Sequence, residues 1–279
     1  MKLIHLTDTH FVKRGERLYG LDPQERLTAC IADINRHHAD ADHCIITGDL
    51  THWGEAEAYA LLRDCLTGLV PPVTLVIGNH DHRPTLLRHF PTVPVDPHGY
   101  VQQAFDTPEG RFLVLDTNEP GSHAGWYCER RQEWLARQLS DSDGAVFLFM
   151  HHPPFDIGIR PLDRIGLRQA ADFQDIVEPF AHRIRHLFFG HVHRPVGGSW
   201  LGIPVSTVRA TNHQCWLDFD AAGDGDIAGS HEPPAYAVVL VDADRVIVHP
   251  HDFLYAGPRF GLGERAAADS LGAPLPAAE

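Results

Sequence analysis

Six short apolar runs rich in β-forming residues alternate along the chain with segments of helical spacing: Leu3 to Leu6, His43 to Thr47, Val73 to Ile77, Phe112 to Leu115, Ala145 to Met150 and His186 to Phe189. That rhythm specifies a layered α/β fold. Between the first two runs, Asp22 and Pro23 read as an N-cap and a first helical residue. Leu27, Cys30, Ile31 and Ile34 then recur at helical spacing, which predicts a helix over 23–37. Further helices are expected over 55–67, over 129–139 with Trp134, Leu135 and Leu139 facing inward, and over 169–181. Residues 100–116 read as a hairpin about Thr107-Pro108-Glu109-Gly110, and a second is expected where Ala235 to Val241 and Arg245 to His249 flank Asp242-Ala243-Asp244.

No period of 20 to 50 residues repeats and no long linker divides the 279 residues. One domain is expected over 1–262. It carries a surface loop rich in Gly, Asp and Pro at 218–234, near the site, and a C-terminal hairpin region at 235–262. Residues 263–279, rich in Ala, Gly and Pro without periodicity, are expected to be a flexible tail.

Charge narrows the partners. Lys+Arg total 23 against Asp+Glu 37, for a net charge of -14, and the only lysines are Lys2 and Lys13. Such a surface repels nucleic-acid polymers and anionic membranes. The longest clean apolar run, Ala145 to Met150, is far short of the ~20 residues a membrane span needs. Asp8 interrupts the N-terminal apolar run before a signal-peptide core can form. Five scattered cysteines, never spaced C-x-x-C, argue against disulfides and thiolate zinc and for a reducing, cytoplasmic setting. A homo-oligomer is left open. The 21 histidines point toward metal or acid-base chemistry.

Five of the six apolar runs end in polar side chains that suit a metal. Asp8 and His10 follow the first, Gly48-Asp49-Leu50-Thr51 the second and Gly78-Asn79-His80-Asp81 the third. His151-His152-Pro153-Pro154 follow the fifth and Gly190-His191-Val192-His193 the sixth. Ligands of open α/β sheets bind outside the carboxyl ends of the strands, so these loops can converge on one crevice. Carboxylate, imidazole and amide donors without thiolate suit Mn, Fe, Co, Zn or Mg. The number of donors exceeds what one tetrahedral ion uses, so two ions sharing a carboxylate are expected, with Asp49 as the bridge.

These clusters resemble the signature motifs of the calcineurin-like metallophosphoesterases. The Gly-Asn-His-Asp and His-His-Pro-Pro forms are similar to the branch that holds the bacterial class III cyclic-nucleotide phosphodiesterases and the glycerophosphodiesterases. Phe11 to Tyr19, Gly125-Trp126, Ile157 to Gly166 and Tyr255-Ala256-Gly257-Pro258 extend the likeness, over most of residues 1 to 260, toward the bacterial glycerophosphodiesterase. The resemblance implies a four-layer α/β/β/α sandwich of two packed mixed sheets flanked by helices. It implies two divalent metal ions (Mn, Fe, Co or Zn), one held by Asp8, His10, Asp49 and His193 and the other by Asp49, Asn79, His151 and His191. His80 then stands beside the scissile phosphate, to stabilise charge or protonate the leaving oxygen, with Asp81 orienting it through a hydrogen bond and His152 supporting the ligands from behind. Asn79, His80 and His213 are expected on the substrate.

The function so implied is hydrolysis of small phosphodiesters, cyclic nucleotides or glycerophosphodiesters, by in-line attack of a metal-bridging hydroxide. Two divalent cations, the Asp8 and Asp49 carboxylates and a hydroxide leave one net positive charge, which a diester monoanion neutralises and a monoester dianion overshoots. A phosphomonoesterase on the same site and a metal-bound binding protein without turnover are the alternatives. Elsewhere blander readings hold: His37-His38 as a helix-end surface pair, His5 as a packed strand residue, and Asp220, Asp224 and Asp226 as a solvated acidic loop lacking calcium-loop spacing.

Overall fold

All six apolar runs are strands in the computed structural model, which describes residues 1–222 and 225–260. The first nine strands are β1 (Lys2–Leu6), β2 (His43–Thr47), β3 (Val73–Val76), β4 (Gln103–Thr107), β5 (Gly110–Val114), β6 (Val146–Phe149), β7 (Ile184–Phe188), β8 (Val196–Trp200) and β9 (Ile203–Thr207). The last four are β10 (Gln214–Cys215), β11 (Gly229–Ser230), β12 (Tyr236–Val241) and β13 (Val246–His251). The helices are α1 (Pro23–His38), α2 (Ala56–Leu66), α3 (Arg83–His89), α4 (Glu129–Ser140), α5 (Arg160–Asp163) and α6 (Ala170–Val177). One mixed sheet runs β13-β12-β1-β2-β3 and the other β4-β5-β6-β7-β9-β8.

Strands covered on both faces send successive side chains to opposite layers. Ile4, Leu6, Cys44 and Ile46 lie in the apolar layer that also holds Leu27, Ile31 and Ile34 of α1 and Leu62 of α2. Leu3, Ile45 and Val76 point the other way and meet Phe112, Phe147, Phe149 and Phe188 of the second sheet. Val146 and Leu148 face outward again, onto Trp134 and Leu135 of α4 and Phe173 of α6. These three apolar layers make the α/β/β/α sandwich. The Asp22 carboxylate caps α1 by accepting from the amides of Gln24 and Glu25, and Pro23 follows at the first helical position.

Both hairpins form, as β4–β5 and β12–β13. The fourth helix is shorter than its periodicity suggested. It ends at Val177, and Glu178–Arg183 continues as a 3-10 turn containing Pro179, which has no N–H for an α-helical bond. Asp224 and the expected tail at 263–279 lie outside the described residues.

Two histidines inside the sandwich bear on stability. His5 bonds the Thr47 hydroxyl through Nε2 (2.9 Å) and His186 bonds that of Ser206 (2.8 Å), while both rings lie against Phe188. Burial, with the charge of His186 adding to it, lowers the pKa of His5 to about 3, and burial lowers that of His186 to about 4. The unfolded chain therefore binds more protons than the folded one between pH ~6.5 and those values, so stability is full above ~6.5 and is lost as pH falls through that window. The expected slope is up to about 1.4 kcal/mol per pH unit for each histidine. Denaturant titration between pH 4 and 7 should give a shallower dependence for the His5→Gln, His186→Gln double variant, which keeps a polar partner for each hydroxyl.

Candidate active site

The two sheets present the ends of parallel strands, β1, β2 and β3 in one and β6 and β7 in the other, at a common edge. There the chain turns sharply out of the strands. Asp8, His10, Asp49, His191 and His193 all adopt left-handed backbone, with φ of 54°, 46°, 48°, 72° and 49°. Such a conformation costs a non-glycine residue of order 1–3 kcal/mol and persists only where surrounding contacts enforce it. Here backbone bonds do so: the amide of Asp8 donates to the Gly48 carbonyl (3.1 Å), that of His10 to Asp49 (2.9 Å) and that of Gly190 to His151 (3.0 Å). A Cβ on Gly78 would lie 2.3 Å from the Asp49 amide nitrogen and carboxylate, so the third loop approaches this closely only as glycine.

The turns bring two sets of donors together. In the first, Nε2 of His10 and of His193 are 3.0 Å apart, His193 Nε2 is 3.3 Å from Asp8 Oδ1, and His10 Nε2 is 3.6 Å from Asp49 Oδ2. These four residues can direct ligand atoms within 4.8 Å of one another. In the second, Asn79 Oδ1 is 3.0 Å from both His151 Nε2 and His191 Nδ1, and His151 Nε2 is 3.3 Å from Asp49 Oδ2. The same oxygen of Asp49 thus faces both sets. Burial raises the Asp49 pKa, but the positive charges of His151 and His80 outweigh it and hold the carboxyl well below the usual range. The Asp49 charge in turn overcomes the effect of burial on His151 and raises it to about 9.

The residues fit divalent cations. Asp8 Oδ1 is buried without a hydrogen-bond partner, and the donors are all oxygen and imidazole nitrogen. The far sides of the rings are fixed as metal-binding histidines require: His151 Nδ1 donates to the Thr47 carbonyl (2.7 Å) and His193 Nδ1 to that of His213 (2.8 Å). His152 differs, with both ring nitrogens engaged, by the Thr117 hydroxyl (2.7 Å) and the His123 carbonyl (3.2 Å).

One expectation needs correction. Asp81 does not hydrogen-bond His80. Its carboxylate accepts from the amides of Leu50 (3.1 Å), Thr51 (3.1 Å) and Gly78 (2.9 Å) and from the Tyr59 hydroxyl (2.8 Å), so it ties two ligand-bearing loops together. Burial and the nearby charge of Asp49 push its pKa up to about 6 despite those donors. His80 instead donates from its amide to Asp49 Oδ1 and from Nδ1 to the His52 carbonyl, both at 2.9 Å. Sequence reasoning missed His52, which stacks on His80, and His123, whose Nδ1 lies 3.2 Å from the Asn79 amide nitrogen. His52 sits three residues past Asp49, a spacing that could have drawn attention to it. His123 follows the one apolar run without a ligand cluster.

A cleft of about 1070 Å³ opens over both sets. His213 stands in its wall, its ring centroid 4.6 Å from those of His193 and Tyr19. The opposing wall includes Leu162, Ile165 and Arg168, and the 218–234 loop contributes Ile227 and His231.

A family model described as calcineurin-like phosphoesterase matches residues 1–195. The chain belongs to that family. A probable cyclic nucleotide phosphodiesterase of Rhodopseudomonas palustris is 46% identical over 96% of this chain and 98% of its own length. A glycerophosphodiester phosphodiesterase of Enterobacter lignolyticus is 31% identical over 77% of this chain and 78% of its own. Among solved structures, a purple acid phosphatase from yellow lupin seeds shares the fold with a TM-score of 0.62 at 14% identity, over 90% of this chain and 51% of that one.

The corrected place of Asp81 predicts a split between stability and catalysis. Asp81→Ala strands four donors and should lower the unfolding free energy of the metal-free protein by about 3 kcal/mol, whereas His80→Ala should cost under about 1 kcal/mol. Urea denaturation of both variants checks this; equal losses would refute the assignment.

Proposed function

We propose that the protein hydrolyses small phosphodiesters, cyclic nucleotides or glycerophosphodiesters, at a centre for two divalent cations. The observation that carries this reading is the single Asp49 oxygen lying 3.6 Å from His10 Nε2 and 3.3 Å from His151 Nε2. Asp8, His10, Asp49 and His193 hold one cation, and Asp49, Asn79, His151 and His191 the other, drawn from Mn, Fe, Co or Zn as the donor types favour. The relatives named as phosphodiesterases support the diester class. Bound there, such cations activate water and neutralise the charge of the phosphate.

The chain's own residues do the rest. Because His80 Nδ1 donates to the His52 carbonyl, its other nitrogen is left for the cleft. As an imidazolium it delivers a proton to the departing oxygen. Asn79 and His213 line the same cleft as His80 and restrict how a diester lies there. Five unpaired cysteines support a reducing compartment, the cytoplasm, and among the described residues no helix is long and apolar enough to cross a membrane.

Asp49→Ala is expected to lose metal from both positions and nearly all turnover while remaining folded. Elemental analysis reads this directly, and a variant that kept two ions per chain would rule out the shared carboxylate. His80→Ala should keep both metals and lose about 10²-fold or more in rate with alkyl leaving groups, but less with p-nitrophenolate, which departs without a proton. A rate panel with Mn(II) tests the substrate class: bis(p-nitrophenyl) phosphate, p-nitrophenyl phosphate, 3′,5′-cAMP, 2′,3′-cAMP and a glycerophosphodiester. Faster turnover of the monoester would favour a phosphomonoesterase, and no turnover at all a binding protein.

A further inference from the structure

His52 belongs to neither ligand set, yet it is buried and touches two of the site's imidazoles, those of His10 and His80. Its Nδ1 lies 3.0 Å from Nδ1 of His10. The other nitrogen of His10, Nε2, faces Asp8, Asp49 and His193, so that lone pair is the one directed into the pocket. The proton of His10 then sits on Nδ1. A contact of 3.0 Å between two ring nitrogens holds one proton, so His52 Nδ1 is the acceptor and His52 carries its own proton on Nε2. The same residue serves His80 twice, through its carbonyl, which accepts from His80 Nδ1 at 2.9 Å, and through its ring, stacked at 4.6 Å and 18°.

We infer that His52 is a positioning residue, a neutral acceptor that fixes the tautomer of His10 toward the first cation while its ring and carbonyl hold His80. Metal-bound histidines commonly lean on a carboxylate or a backbone carbonyl. An imidazole in that place orients His10 without adding negative charge beside Asp8 and Asp49. The inference rests on the two-cation reading of the site, but not on what is hydrolysed there.

Two substitutions separate the acceptor from the packing. In His52→Asn the amide oxygen takes the place of Nδ1 and keeps the acceptor while losing the stacked ring. In His52→Phe the ring stays, but the His10 N–H is left buried without a partner. Calorimetric titration of the metal-stripped proteins with Mn(II), alongside thermal melts that establish folding, reads the effect without substrate. At the first site, of Asp8, His10, Asp49 and His193, His52→Asn should bind Mn(II) within about three-fold of wild type, and His52→Phe should bind it ~10–100-fold more weakly. Equal affinities in all three proteins, or a loss in His52→Asn as large as in His52→Phe, would overturn the inference. So would a wild type that takes up no Mn(II). A wild type that binds the metal but cleaves no diester would instead remove the phosphodiesterase reading and leave the role of His52 standing.

Discussion

The carboxylate of Asp49 is where the architecture of this protein comes to a point. One oxygen accepts the amide of His80 and the other faces His10 and His151, so loops from both sheets converge on a single buried side chain. A carboxylate so far from water is tolerated only when it is paired, and the surrounding imidazoles supply that pairing. The close approach of Gly78, the left-handed turn at Asp49 itself and the amide bond from His10 all serve to bring partners to that group.

Around it stands a scaffold that does no chemistry. Asp81 gathers amides from the second and third loops, and Asn118 donates from its amide to the carbonyls of Gly78 (2.7 Å) and Asp81 (3.2 Å). Asp116 holds Asn118 by its amide (3.0 Å) and pairs with Arg83 (2.8 Å), while buried Arg131 donates to the Asp116 carbonyl (2.8 Å). Buried polar networks of this kind are costly when half satisfied and rigid when complete. Together with the backbone bonds between the loops it holds five left-handed residues at the strand ends, which nothing in their own backbone preferences would sustain.

The layers and the gathering of polar side chains past the strand ends were legible in the sequence for the same reason. Strand runs are marked by local composition, and a ligand placed just past a strand end inherits its location from the strand. Asp8, Asn79 and His191 are read that way. The place of Asp81 was not, because a carboxylate next to a histidine in sequence need not face it: the two side chains leave a tight turn in different directions, and donors from its own loop, from the second loop and from α2 claim Asp81 first. His52 has only its spacing from Asp49 and His123 no pattern of its own, and the contacts of both come from rings and carbonyls brought together by tertiary folding. The break of the fourth helix at Pro179 is a local signal that apolar spacing alone overlooked.

What distinguishes one member of such a family from another cannot lie in the metal loops, since any phosphodiester presents the same group to them. Discrimination is a difference of contacts made by the rest of the substrate. In this chain the cleft is lined beyond the donors by Tyr19, by the 161–168 segment and by residues 225–231. The second of these is fixed both by its backbone and by the burial of Leu162 and Leu167: the amide of Leu167 donates to the Pro153 carbonyl (3.1 Å), which ties it to the His151-His152 loop, and that of Arg168 to the Gly125 carbonyl (3.0 Å). The third is pinned to the first through His231, whose Nε2 lies 2.9 Å from the Tyr19 carbonyl. The cleft wall is thus anchored at its backbone to the loops that gather the donors. On that wall Ile227 is exposed and can be exchanged without disturbing the core, whereas Leu162 is buried in the apolar layer of the second sheet and serves the fold as well as the cleft.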